Sequence, residues 1–255
     1  MSARYTGRST PAMTLLCAVA DALGPLVDRV VFIGGAIAPL LQTHPISPRV
    51  RPTNDVDGVA ITASYSDFHR LQEDLRRRGF QQRAIEAEAT PHAHRWTTPD
   101  GGLFDLMPAG THLGASGNPL DRIAIESAES IQIERPGAAT LVVHHASAPA
   151  FLGLKWAAYQ DRGESDLFGS HDIEDILAVL ASRPAVEQEC AAILAPRLRV
   201  AIAAMAQTLI TDEQTLGELL AAHVIAEDPT DAITVHRHVR AVLQRLAIPA
   251  EAPQS

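Results

Sequence analysis

Near residue 147 the chain changes its hydrophobic period, and that change limits the fold more than any other feature. Upstream, short apolar runs alternate with turn residues. "RVVFIGG" reads as a buried strand ending at a glycine pair, and "NDVDGVAIT" as a second strand with Val56 set between Asp55 and Asp57. "SYSDFHRLQEDLRRRG" reads as a helix that starts after Ser64 or Ser66 and stops at Gly79. Strand-like pieces follow in "GFQQR", "HRWTT", "GLFDLM", "SIQIE" and "ATLVVHH", broken by turns such as "PDGG". Downstream of Ser147, Ala and Leu replace the β-branched and turn residues, and the segments take helical spacing, from "APAFLGLKWAAYQDRG" to "DAITVHRHVRAVLQRLA". The expected class is α+β: a short-stranded mixed sheet flanked by helices over 1–145, a helical domain over 146–248, and a frayed tail over 249–255.

Composition narrows the function classes. With 46% hydrophobic residues the chain can bury a core, and a formal charge of −9 argues against general adhesion to nucleic acid. "RRR" at Arg76 to Arg78 and "HRHVR" at His236 to Arg240 are the candidates for a local basic groove, with solvated helix faces as the plainer reading. Cys17 and Cys190 have no CxxC spacing and read as reduced thiols of a cytoplasmic protein. "AMTLLCAVADALGPLV" resembles a secretion signal only superficially. Asp21 interrupts it, and Leu16, Ala20, Leu23 and Val27 fall at helical spacing, so an amphipathic first helix is expected, with no membrane span.

The chemistry lies in the acidic residues. On a strand, positions i and i+2 face the same side, so "DVD" sets the carboxylates of Asp55 and Asp57 together, where they repel unless a cation lies between them. Asp105 stands in "GGLFDLMP", a setting too apolar for an acid without a partner. If the two strands are neighbours, three hard oxygen donors converge, enough to hold Mg²⁺ and to accept a proton from an attacking hydroxyl. Upstream, Gly34 and Gly35 end a strand and begin a helix, an arrangement that allows close approach of an anion. The paired histidines His92 and His94, His144 and His145, and His236 and His238 lack a third ligand at zinc spacing.

In order and spacing these stretches resemble nucleotidyltransferases of the DNA polymerase beta superfamily, in particular the AbiEii-type branch found as toxins in bacterial toxin-antitoxin and abortive-infection systems. The residues that carry the resemblance are "FIGGAIAPLL", "RPTNDVDGVAI", "FDLMP", "FLGLKWAAYQDRG" and "HDIEDIL", between residues 31 and 180. The resemblance implies that Gly34 and Gly35 cradle a triphosphate, that Asp55, Asp57 and Asp105 bind two Mg²⁺ ions (Mn²⁺ as the alternative), and that Asp105 deprotonates the acceptor. It places Arg51 and Thr53 near phosphate, Lys155 on the first C-terminal helix against the triphosphate, and Asp172 and Asp175 in a "DxxD" on the next. Arg162, on the same stripe as Lys155 and Tyr159, is expected to anchor Asp172 or Asp175. Lys155 is the sole lysine in a chain with 21 basic residues, which singles it out.

The implied activity moves an NMP from an NTP to an acceptor hydroxyl, with release of pyrophosphate. The implied acceptor is RNA, notably tRNA, with a cognate antitoxin as partner. A small hydroxylated molecule of aminoglycoside type is the alternative acceptor, and a nucleotide-binding module without activity is the alternative class.

Overall fold

The computed structural model describes residues 3–5, 9–44, 51–83, 94–109, 118–162, 166–193, 195–225 and 229–248. The chain forms two compact units: Met1–Leu40 with Arg51–Ser147, and Leu41–Val50 with Ala148–Ser255.

The first unit is built on one eight-stranded sheet. Its strands are β1 (Ala3–Tyr5), β2 (Val30–Ile33), β3 (Asp55–Ala60), β4 (Gln81–Gln82), β5 (His94–Thr97), β6 (Leu103–Pro108), β7 (Glu129–Ile133) and β8 (Leu141–His145). They lie in the order β1-β7-β8-β2-β3-β6-β5-β4. Pairing is mixed: β1 with β7, β8 with β2 and β3 with β6 are parallel, and the other neighbours are antiparallel. Every residue of β2 is buried, as expected of a strand that is central and apolar throughout.

Two helices show how local signals fix this unit. α1 (Pro11–Leu23) is capped by Thr10, whose hydroxyl accepts from the Met13 amide, with proline in the first turn; it buries Leu16, Val19, Ala20 and Leu23. A 3-10 segment, Gly24–Arg29, continues it. Together Pro11–Arg29 spans 19 residues and is by length and composition long and apolar enough to cross a membrane, a test that the core helix of a soluble protein also passes. Its buried residues form part of the core of the sheet unit. α3 (Tyr65–Arg77) starts where Ser64 accepts from the Asp67 amide, while the Asp67 carboxylate accepts from Ala63 N–H. The sequence reading missed α4 (Pro119–Glu126), capped by Asn118, and the short edge strand β1.

The alternation of β3, β5 and β6 sorts side chains onto two faces. Val56, Phe104 and Trp96 are in register and wholly buried on one of them. Phe80 meets Phe104 edge-on at 6.2 Å, and the Arg76 guanidinium lies 5.3 Å from the Trp96 ring, so that face is the packed one. The residues between them, Asp55, Asp57, Asp105 and Arg95, are forced to the other face.

The second unit is helical: α5 (Ala148–Asp161), α6 (His171–Ser182), α7 (Val186–Ala191), α8 (Pro196–Ile210), α9 (Glu213–His223) and α10 (Pro229–Leu246). α5 packs on α6 and α8, and α10 on α6, α7 and α8. One long helix is the expectation for 185–210, but the structure breaks it into α7 and α8. Pro196 cannot donate a helical hydrogen bond, and it opens α8 as its first residue.

Candidate active site

The site on the sheet is set by register. β3 and β6 run parallel with Asp57 opposite Asp105, and Asp55 two residues earlier opposite Leu103. β6 and β5 run antiparallel with Asp105 opposite Arg95. Residues paired in this way project to the same face, so one row across three strands reads Asp57, Asp105, Arg95, with Asp55 beside it.

Arg95 is the member that the sequence reading missed. Its Nε donates to Asp105 Oδ1 at 2.8 Å and its Nη2 to Asp105 Oδ2 at 2.5 Å, a two-pronged grip on one carboxylate. The same Nη2 reaches Asp55 Oδ2 at 3.2 Å. The hydrogen bond to Asp105, with the fields of Asp105, Asp55 and Asp57 beside it, raises the guanidinium further above its ordinary range, against the opposing effect of burial. The one signal available in the sequence was the unmet need of Asp105 for a cation, and "HRWTT" was the neighbouring strand able to supply one.

Asp105 is nearly enclosed, with its side chain 9% exposed, whereas Arg95 is 41% and Asp55 33% exposed. Asp55 and Arg95 thus open the row to solvent. Thr53 Oγ1 lies 3.2 Å from both the backbone oxygen and Oδ1 of Asp55, and so fixes that carboxylate from the approach to β3. Arg51, from the same approach, donates from Nη1 to the Pro52 carbonyl at 3.1 Å.

The glycine pair lies against this row. Gly34 has φ +71°, and a Cβ added to it would come within 2.0 Å of Asp57 Oδ2. Both the backbone angle and the closeness of Asp57 therefore require glycine there. Gly35 is buried and opens a three-residue 3-10 turn, Gly35–Ile37, followed by the single helical turn α2 (Ala38–Leu41). The sequence expectation that a helix N-terminus here offers amides to an anion is thereby corrected. Seven residues of mixed 3-10 and α geometry build little dipole, so what the turn offers is room beside Asp57.

The carboxylate row fits a hard divalent cation in its donor chemistry: oxygen ligands from adjacent strands on one face. Among the described residues no three His, Cys, Asp or Glu side chains are gathered into a ready ligand set. Within the row, Arg95 stands among the three acids.

The other predicted residues lie in the helical unit. Lys155 on α5 is buried, and its Nζ contacts Asp172 Oδ1 at 3.0 Å and Asp175 Oδ2 at 2.6 Å, both on α6. Burial alone would lower the ammonium's pKa; the fields of Asp175 and Asp172 and their hydrogen bonds outweigh this and leave it raised. Arg162 Nη1 contacts Asp172 Oδ2 at 2.5 Å, as the helical stripe led one to expect. Asp172 and Asp175 are 1% and 3% exposed at the side chain, so two cations balance two enclosed acids.

The basic runs make local contacts. Arg76 donates to Gln82, Arg77 pairs with Asp74, and Arg78 Nε donates to the Ala22 carbonyl. In the other run, His236 meets the Val224 carbonyl and Arg240 pairs with Glu213. Of the histidine pairs, His92 and the His94 side chain lie outside the described residues, and His144 Nδ1 pairs with Ser130 at 2.8 Å.

No protein-family model matches the chain, and no curated protein sequence matches it. Among solved structures, the chain is similar to JHP933 from Helicobacter pylori, at 13% identity and TM-score 0.44 over 94% of each chain. It is also similar to a structure described as a candidate nucleotidyltransferase from H. pylori, at 12% identity and TM-score 0.45, over 94% of this chain and 96% of that one.

Proposed function

We propose that this protein is a cytoplasmic, metal-dependent nucleotidyltransferase that moves an NMP from an NTP to an acceptor hydroxyl. The observation that carries the reading is the register of Asp57 with Asp105, beside Asp55 and closed against a glycine turn at Gly34. Carboxylates set side by side repel one another unless a cation stands between them, and this row is open to solvent at Asp55. Asp55, Asp57 and Asp105 would hold Mg²⁺, as two ions or with Mn²⁺ in their place, and the metal would neutralise charge on the phosphate oxygens.

The protein's own residues then have definite tasks. Gly34 and Gly35 admit the triphosphate close to Asp57, and Thr53 keeps Asp55 oriented. Asp105 takes the proton of the acceptor hydroxyl as that oxygen forms its bond to the α-phosphorus, and the bond from the α-phosphorus to the bridging oxygen breaks to release pyrophosphate. Arg51, Lys155 and Arg162, with Asp172 and Asp175, enter as phosphate-side groups through the resemblance alone. Lys155→Arg tests that assignment. A large loss of turnover in a folded variant supports a fitted ammonium, and near-normal turnover leaves these residues with their structural role.

The acceptor follows from the same resemblance: RNA, notably tRNA, in a toxin that a cognate antitoxin would restrain. Incubation with α-³²P-labelled NTPs and either total RNA or a panel of aminoglycosides and other polyols tests both levels. Labelled RNA is the expected outcome. A labelled small molecule replaces the acceptor and keeps the reaction, and labelling of neither overturns the enzyme reading.

A further inference from the structure

Arg95 holds the position that a cation shared by Asp105 and Asp55 would take. It grips both oxygens of Asp105, and the same Nη2 extends to Asp55 Oδ2 at 3.2 Å. A guanidinium and a divalent ion cannot share those oxygen lone pairs at full strength, because each needs them in the carboxylate plane. The members of the pair also differ in freedom. Asp105 sits on a paired inner strand with its side chain 9% exposed, whereas the Arg95 side chain is 41% exposed and reaches the row from β5. Release of the guanidinium into water requires only side-chain rotation, but release of the carboxylate would require the strand to move.

We infer that Arg95 is the built-in counter-ion of the carboxylate row, and that a divalent cation displaces it from Asp55 and Asp105. It is a positioning residue. It holds Asp55 and Asp105 together while no metal is bound, and it sets a threshold for metal entry. This inference rests on the nucleotidyltransferase reading of the same row.

The test is Mn²⁺ titration of the full chain without nucleotide, followed by electron paramagnetic resonance, with thermal unfolding measured in parallel. Arg95→Gln removes the competitor, so its Mn²⁺ affinity rises roughly five- to tenfold, the scale of a partly exposed ion pair. The metal-free form of this variant melts lower than wild type, and Mn²⁺ recovers more of its Tm. Arg95→Lys, which keeps the charge but loses the fork, falls between the two. Equal or weaker Mn²⁺ binding by folded Arg95→Gln overturns the inference.

A second measurement does not depend on any variant folding. In wild-type protein labelled with ¹⁵N-arginine, the Arg95 Nε–H signal, assigned by its absence in Arg95→Lys or from backbone connectivity, moves on addition of Mg²⁺. An unmoved signal at saturating Mg²⁺ contradicts displacement. The Asp57→Asn variant separates the two levels. Mn²⁺ binding that is lost in Asp57→Asn yet indifferent to Arg95→Gln refutes displacement and leaves the carboxylate site standing, whereas no Mn²⁺ binding by any form removes both.

Discussion

Two clusters of acids in this chain differ in enclosure. In the helical unit, Asp172 and Asp175 are enclosed and held by Lys155 and Arg162. In the sheet unit, Asp55, Asp57 and Asp105 share one face, Arg95 pairs with Asp105 and Asp55, and Arg95 and Asp55 are open to solvent. A paired, enclosed network is what a protein interior requires of its charges. A solvent-accessible one can exchange its cation for another. The contrast separates a cluster whose geometry is explained by stability from one whose geometry is not.

The largest effects should break this contrast outright. Asp57→Asn removes one acid from the solvent-accessible row and is expected to lower nucleotidyl transfer by about a thousandfold while the fold survives. Its counterpart is Lys155→Met, which leaves two enclosed carboxylates with one guanidinium. Chemical denaturation should show a loss of about 3 to 5 kcal/mol, the penalty for breaking a buried pair. If the two variants exchange these signatures, the distinction between the clusters is wrong.

Asp121, on α4 of the sheet unit, sharpens the contrast because it is a buried acid whose shift comes from enclosure. Desolvation raises its pKa to about 7 from the ordinary 3.8, partly offset by a hydrogen bond from the backbone near Asn118. Between those two values the folded state holds a proton that the unfolded chain has released. Stability from this group is therefore present at low pH and falls as pH rises through the window. Denaturation at pH 5 and pH 8 should show wild type weaker at pH 8. Asp121→Asn should remove that dependence and be more stable at pH 8 by on the order of 3 kcal/mol. A variant with the same pH slope as wild type would show that Asp121 is ionised in the fold.

Gly34→Ala gives a smaller stability effect inside the sheet cluster. A Cβ at φ +71°, 2.0 Å from Asp57 Oδ2, should reduce stability by about 1 to 3 kcal/mol and shift the carboxylate. Thermal unfolding together with a transfer assay checks whether activity falls further than stability. Thr53→Val is the smallest change. It removes one hydroxyl contact to Asp55 and should slow transfer several-fold, for about 1 kcal/mol.

The parts of this picture that could be read from residues are those written in local patterns. The alternation in "NDVDGVAIT" put Asp55 and Asp57 on one face, and Ser64 announced the start of α3. Leu103 and Met107 around Asp105 marked a strand with an acid in need of a partner. What stayed hidden depended on pairing. Nothing local in β3 states that it runs parallel to β6 with Asp57 opposite Asp105, since the connection between them carries α3, β4 and β5. Arg95 escaped for the same reason: its importance exists only once β5 lies against β6. α4 was missed because "PLDRIAIE" is only two turns long, and its cap, Asn118, sits in a turn-rich run. Lys155 attracted attention through its rarity, and its contacts with Asp172 and Asp175 supply a structural reason for a charge at that position.

The central claim is that the carboxylate row of the sheet unit performs nucleotidyl transfer. It is tested most directly by comparing wild type and Asp57→Asn, at matched Tm, for transfer of label from α-³²P-NTP to acceptor in the presence of Mg²⁺. The account predicts label on the acceptor with wild type and background with the variant. Equal labelling by the two proteins would contradict it.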